Sequence, residues 1–171
     1  MSPREPRAEL LADTGEFPNS RWPALVYEQA LEPTSDLAAA FEALFEQNGW
    51  TGSWRNGLYR QHHFHSTAHE ALGVFRGWVD VRLGGPSGPV IRLRAGDAAV
   101  IPAGVAHKNE AQAPDFAVVG AYPDGTAPDM QYGKIGERPR VDANIARVIR
   151  PGRDPVAGAG GALLRLWLAL G

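Results

Sequence analysis

The chain is 171 residues long, with a formal net charge of -2, five histidines and no cysteine. That length suits about one domain with a substantial core, and the missing thiols exclude disulfides and thiolate ligands, so any bound metal must rest on nitrogen and oxygen donors. Nearly balanced charge, with arginines scattered rather than striped, carries no electrostatic footprint for nucleic acid. The 20 glycines and 14 prolines imply many turns between short strands, which tilts the expectation towards an all-β domain.

Residues 1–18 read as a flexible or loosely docked arm. Met1 to Gly15 is charged and lacks the apolar centre of a signal peptide. No apolar run reaches the roughly 18 residues of a membrane span, so a cytoplasmic protein with no membrane partner is expected. A barrel with a leading strand and helix is expected over 19–135. Leu25-Val26-Tyr27 suits a strand, and Leu37, Phe41 and Leu44 recur at helical spacing behind a cap at Thr34 or Ser35, with Asp36 in the first turn. Asn48-Gly49 supplies a left-handed stop. Trp50, Trp54 and Tyr59 would then plug the join between this amphipathic helix and the sheet.

From Leu58 onward the pattern is that of strands: Leu58 to His63, Glu70 to Arg76, Trp78 to Leu83, Val90 to Arg94, Ala98 to Ile101 and Phe116 to Tyr122. Gly77 marks a bend between two of them. Short strands with glycine-rich turns indicate a sandwich or barrel. Residues 136–171 read as an extension, packed on the barrel or on a partner subunit. It ends in a very apolar tail through Leu163, Leu164, Leu166, Trp167, Leu168 and Leu170, too short to span a bilayer and in need of cover.

The histidines cluster. His62, His63, His65 and His69 fall within one short run, and His107 follows the Pro102-Ala103-Gly104 turn. On an extended strand His63 and His65 share a face, because side chains alternate. Glu70 on the returning strand can meet them from the side, and His107 arrives from a second turn unit. Three imidazoles and one carboxylate suit a divalent ion with positions left open for water, oxygen or substrate. Adjacent residues on a strand face opposite ways, so His69 and Glu70 are rivals for the carboxylate position, and His62 faces away from His63. The same alternation makes Tyr59 and Gln61 pocket candidates beside His63, Leu72 and Val74 beside Glu70, and Asn109 beside His107. His69 is a candidate for the pocket's rim, as are Tyr122, Asp124 and Asp129.

These two pieces resemble the paired motifs of the cupin superfamily, and more narrowly the small bacterial YjlB-like cupins. The resemblance is carried by Asn48-Gly49-Trp50, Trp54-Arg55-Asn56-Gly57, His63-Phe64-His65-Ser66-Thr67-Ala68-His69-Glu70, Pro102-Ala103-Gly104-Val105-Ala106-His107-Lys108, Gly120-Ala121-Tyr122-Pro123 and Asp154-Pro155-Val156. It departs from the usual second motif at Ala111, where an asparagine is customary; Asn109 lies two residues after His107 instead. What the resemblance implies is a double-stranded β-helix (a jelly-roll barrel) with one N-terminal amphipathic helix and a short apolar C-terminal tail. It also implies one divalent metal ion (Fe, Mn, Ni or Zn) on His63, His65, Glu70 and His107, with the family spacing preferring Glu70 to His69.

Three classes of function remain open on the sequence. One is a metal-dependent enzyme on a small organic molecule, with dioxygenase-type oxidation placed ahead of isomerase or lyase chemistry. The second is a non-catalytic binding or sensor module, and the third is a structural metal site. No catalytic residue is assigned. The expected partners are a small molecule and a second copy of the chain, as a homodimer.

Overall fold

The computed structural model describes residues 5–168; positions 1–4 of the expected arm and Leu170 of the expected tail lie outside them. Nine strands and three helices follow in order: β1 (Arg7–Glu9), β2 (Ala24–Tyr27), α1 (Leu37–Gln47), β3 (Trp50–Asn56), β4 (Glu70–Arg76), β5 (Trp78–Leu83), β6 (Val90–Arg94), β7 (Ala98–Ile101), β8 (His107–Gln112), β9 (Ala117–Pro123), α2 (Arg140–Arg147) and α3 (Ala162–Leu166). Two antiparallel sheets form, one of six strands ordered β1-β2-β7-β4-β9-β3 and one of three ordered β6-β5-β8. Among the described residues no helix is long and apolar enough to cross a membrane.

Alternation along the central strand β4 explains where the two cores lie. Leu72 and Val74 point between the sheets, where they meet Val79, Val81, Leu83, Ile91, Leu93 and Val118. Ala71 points the other way, onto the outer face of the larger sheet, where Phe41, Phe45, Leu163 and Trp167 cover it. Gly73 on that outer face admits the Phe41 ring, which a Cβ would strike at 2.5 Å. Helix α1 therefore sits tight on β4 and buries Phe41 and Phe45 completely, each stabilising the fold by roughly 1.5–3 kcal/mol. Its cap is Asp36, whose carboxylate accepts from Ala39 N at 3.0 Å, one residue beyond the cap expected at Thr34 or Ser35. Gly49 takes the expected left-handed turn, with φ 80°.

Several expectations need correction. The stretch from Leu58 to His63 forms no strand, because the chain bends at Arg60 and Gln61 and only His63 pairs, by a single bridge to His107. The strand before the histidines is instead Trp50–Asn56, paired with β9. The N-terminal arm is laid in as an edge strand, β1 against β2, and Phe17 is buried. Arg138 ties it further by chelating Asp13 and Asp142. The single expected helix becomes three. Helix α2 buries only Val141 and α3 has five residues, so neither shows an apolar stripe long enough to read.

The tail folds back on its own chain. The Trp167 ring stacks on Trp22, with centroids 5.4 Å apart and planes 1° from parallel, and its Nε1 donates to Pro23 O at 2.8 Å. Buried Asp154 fixes the approach by accepting from the Tyr27 hydroxyl and from the backbone nitrogens of Val156, Ala157 and Leu163.

Candidate metal centre

Three backbone features bring the donors together. His63 and His107 face each other across an antiparallel bridge, with His63 N donating to His107 O at 3.2 Å and His107 N to His63 O at 2.9 Å. Phe64 bridges Gln131 in the same way, which clamps the His63–His65 segment between β8 and the loop after β9. Glu70 opens β4 opposite Ile101 of β7. All four side chains are buried.

Each of the three imidazoles gives its Nδ1 hydrogen to a backbone carbonyl: His63 to Gln61 at 2.9 Å, His65 to Asp129 at 2.6 Å and His107 to Val105 at 3.0 Å. A carbonyl only accepts, so Nδ1 carries the proton and Nε2 of a neutral ring keeps its lone pair. One nitrogen from each ring lies within 4.8 Å of the other two. Glu70 Oε2 stands 3.3 Å from Nε2 of both His65 and His107, yet neither Oε2 nor His107 Nε2 finds a hydrogen-bond partner. Buried acceptors turned on one another are costly unless protons or a cation sit among them. A divalent ion satisfies them together, and a set of imidazoles with one carboxylate fits such an ion. The three buried histidines thus form a site able to hold a metal, with Glu70 facing it.

The same crowding shapes the proton affinities. Burial, helped by the His107 ring 4.2 Å away, pushes His63 down to about 3. Burial opposes charge on Glu70, but the imidazoles of His107 and His65 outweigh it and hold the carboxyl well below its usual range. Burial also opposes charge on His65, where Glu70 and the Asp129 carbonyl win and raise it.

His69 lies elsewhere. It packs against Trp22 and Trp167, with centroids at 5.6 and 4.9 Å; its Nδ1 accepts from Ala103 N at 2.8 Å and its Nε2 donates to Ile149 O at 3.0 Å. Burial pushes it down to about 4. A consequence for the metal-free protein follows. An unfolded histidine takes up a proton near pH 6.5, whereas folded His63 and His69 resist one, so acidification from pH 6.5 towards 4 favours unfolding. The slope reaches about 1.4 kcal/mol per pH unit for each group. His65, raised in the fold, adds stability that is complete below pH 6.5 and is lost only as pH rises through its folded value, so it does not offset that slope. Urea unfolding of chelator-treated protein should therefore show a clearly lower midpoint at pH 5 than at pH 7; equal midpoints contradict the burial of these neutral rings.

A cavity of about 400 Å³ opens over the donors, with His63, His65 and Glu70 in its wall. Tyr59 and Tyr122 line it, as the sequence suggested, together with Trp54, Leu58, Pro128 and Met130. Tyr59 is 64% exposed at the mouth. The Tyr122 hydroxyl accepts from Trp54 Nε1 at 2.7 Å and donates to Glu70 Oε1 at 3.4 Å. The other pocket candidates are not in its wall. Gln61 is exposed, because its carbonyl rather than its side chain turns to His63. Leu72 points inward but is sealed in the apolar core between the sheets. Asn109 is buried, its Nδ2 donating to Gln112 Oε1 at 2.7 Å, and His69 is enclosed by tryptophans. Trp54, read as part of the helix–sheet join, is instead a wall; Trp50 alone of that pair is fully buried at the join, with its Nε1 donating to Arg153 O at 2.9 Å.

Asp129 does more than stand at a rim. Its carbonyl orients His65, while its carboxylate accepts from Ser66 N at 2.5 Å, the Ser66 hydroxyl and Gln131 Nε2 at 2.9 Å. Burial opposes its charge, but the Ser66 and Gln131 donors prevail and keep the carboxyl below its usual range. Asp129→Ala keeps the carbonyl that orients His65 but releases the carboxylate that holds this loop to Ser66 and Gln131, so metal retention should weaken by about tenfold, the low end of the cost of disturbing a group that orients a ligand. Competition with a metallochromic chelator reads this out, and unchanged retention would show that the clamp is dispensable.

No family model matches the chain. It is 39% identical over 166 residues to the uncharacterized protein YjlB of Bacillus subtilis, covering 96% of this chain and 98% of that protein. Among solved structures, an uncharacterized protein with a double-stranded β-helix domain from Klebsiella pneumoniae matches at 17% identity and a TM-score of 0.39, covering 78% of this chain and 84% of its own. Acireductone dioxygenase from Bacillus anthracis, solved with cadmium in its active centre, matches at 14% identity and a TM-score of 0.41, covering 62% and 82%. Likenesses of that size carry no argument about chemistry. The two facing sheets and the histidines delivered from two turn units agree with the double-stranded β-helix that the sequence resemblance implies, and the near full-length relative shows the family: the chain belongs to that of YjlB.

Proposed function

We propose that this protein is a divalent-metal-dependent enzyme acting on a small organic molecule, with His63, His65, Glu70 and His107 as the ligands. One observation carries the reading: unprotonated imidazole nitrogens and an unpaired carboxylate oxygen converge at the wall of an open cavity of ligand size rather than inside a closed shell. A bound divalent ion supplies Lewis acidity and, where it is redox-active, a path for electrons to oxygen. The chain's own residues do the rest. The carbonyls of Gln61, Asp129 and Val105 hold the imidazoles in the metal-binding tautomer, and Tyr122 steadies Glu70 through Oε1. Oxidation is favoured over isomerase or lyase chemistry because, among the described residues, the cavity lining offers no lysine, histidine or carboxylate beyond the donor set, which leaves the Tyr59 phenol at the mouth to shuttle a substrate proton.

The reading includes a cytoplasmic location and a homodimer; light scattering on the eluting protein tests the latter. Metal analysis of protein purified from its natural host, followed by oxygen uptake on candidate substrates, tests the enzyme. Near-stoichiometric iron, manganese or nickel with substrate-dependent oxygen uptake is expected. A small molecule that survives purification unchanged and is never turned over would move the reading to a binding or sensor module. Failure to take up any of these metals, or zinc, would sink it.

A further inference from the structure

We propose that the cavity takes a flat, largely apolar oxygen chelator that binds as a monoanion, such as an enol or hydroxy-ketone carried on an aromatic or conjugated ring, and not a phosphorylated or polycarboxylate metabolite. This deepens the metal reading and rests on it. Two independent features of the site point the same way.

The first is charge. Three neutral imidazoles and one carboxylate around a divalent ion leave a single net positive charge. A ligand that loses one proton on binding brings the buried cluster to neutrality. A second carboxylate or a phosphate set against the buried donors leaves negative charge uncompensated there, which costs several kcal/mol per ion unless a cation is at hand. No cation is: neither lysine nor arginine is among the described residues lining the cavity. Arg55, beside Trp54 on β3, is turned outward to Glu42, and Arg60, after Tyr59 in the chain, is exposed and does not line the cavity.

The second is shape. Outside the donor set, Trp54, Leu58, Tyr59, Tyr122, Pro128 and Met130 make the wall mostly apolar, with aromatic rings and with Asn56 as its polar side chain. Trp54 is fixed there: its Nε1 is held by Tyr122, and on the paired strand Gly120 lies opposite it, where any Cβ would collide with the indole. The Tyr122 hydroxyl is occupied by Trp54 and Glu70, so it offers a ligand its ring face rather than a free donor. Tyr59 stands at the mouth, edge-on to His63 with centroids 5.3 Å apart and planes at 80°, and is mostly exposed. Such a slot rewards a ring able to stack on aromatic faces while its oxygens reach the donor end.

The test is calorimetric titration of the full chain, loaded with manganese or zinc and assayed for metal beforehand. Maltol, a flat hydroxypyranone that chelates as a monoanion, is compared with oxalate and with glucose 6-phosphate. Maltol is expected to bind at least about tenfold more tightly than either anion, and Tyr59→Ala and Trp54→Ala each to weaken it by about fivefold with metal content unchanged. Because Tyr59 is exposed, its variant keeps the test decisive even if Trp54→Ala folds poorly. Oxalate or the sugar phosphate binding as tightly as maltol overturns the proposal, as does a Tyr59→Ala protein that binds maltol like the wild type. A wild-type protein that takes up no metal overturns the underlying reading as well, and the prior metal assay separates that failure from a wrong ligand class.

Discussion

His107→Ala should reduce metal retention by more than about 100-fold, beyond the usual cost of disturbing a group that only orients a ligand, while leaving a folded barrel. His107 starts β8, is 1% exposed, and stands at the crossing point of the set: its ring is 4.2 Å from that of His63 and its Nε2 is 3.3 Å from Glu70. Without it the remaining donors, His63, His65 and Glu70, lose the nitrogen that Glu70 and His63 both face. The fold should tolerate the change. In the metal-free protein His107 Nε2 is a buried acceptor with no partner, so its removal relieves an unfavourable contact as well as leaving a void. Elemental analysis after dialysis against a chelator, with circular dichroism on the same sample, measures both halves. His69→Ala is the contrast: its nitrogens serve Ala103 and Ile149, so that variant should lose stability and keep its metal. Full metal retention in His107→Ala, or metal loss confined to His69→Ala, would remove the assignment.

The second large effect is on stability. Trp167→Ala should cost about 3–5 kcal/mol, as removal of a buried tryptophan usually does, and lower the melting temperature by roughly 6–20 °C for a chain of this size. Three losses combine. The ring leaves its stack on Trp22, Pro23 O loses its donor, and the indole wall of His69 disappears. His69 directly precedes Glu70, so the damage extends towards the donor set, and weaker metal retention should accompany the lower stability. Thermal and urea unfolding of both proteins provide the measurement. A change below about 0.5 kcal/mol, within the usual range for surface substitutions, would mean that the tail does not dock on its own barrel, and would return it to the expectation of cover by a partner subunit.

Much of the barrel is visible in local pattern. Strands β4 to β7 and β9 fall where alternation and turns place them, because each buries at least one face and alternation is the signature of burial. Gly77, with φ 66°, marks the bend between β4 and β5 as a glycine inside a strand pattern should. Helix α1 shows its stripe because Phe41 and Phe45 face one surface. Where pattern failed, the deciding interaction was distant. Leu58 to His63 looks like a strand, yet it meets β8 only where Tyr59 O accepts from Asn109 N and at the single His63–His107 bridge, with a bend at Arg60 and Gln61 between them. Trp54 is an aromatic near a helix end in sequence, but Gly120 and Tyr122, more than sixty residues away, turn it into a cavity wall.

The candidate donors were legible in the chain alone, as His63 and His65 at i and i+2 and His107 behind a Pro-Ala-Gly turn, whereas Glu70 was preferred to its neighbour His69 only through the family resemblance. Spacing is local, and local geometry sets which side chains share a face. The tertiary structure alone decided what surrounds them. Gln61, Leu72, Asn109 and His69 fall out of the cavity, and Trp54, Pro128 and Met130 enter it. It also decided that the carbonyls of Gln61, Asp129 and Val105 set the three tautomers. A backbone carbonyl has no letter in a sequence, and a loop such as 124–131 has no period, so neither can be read before the chain closes on itself.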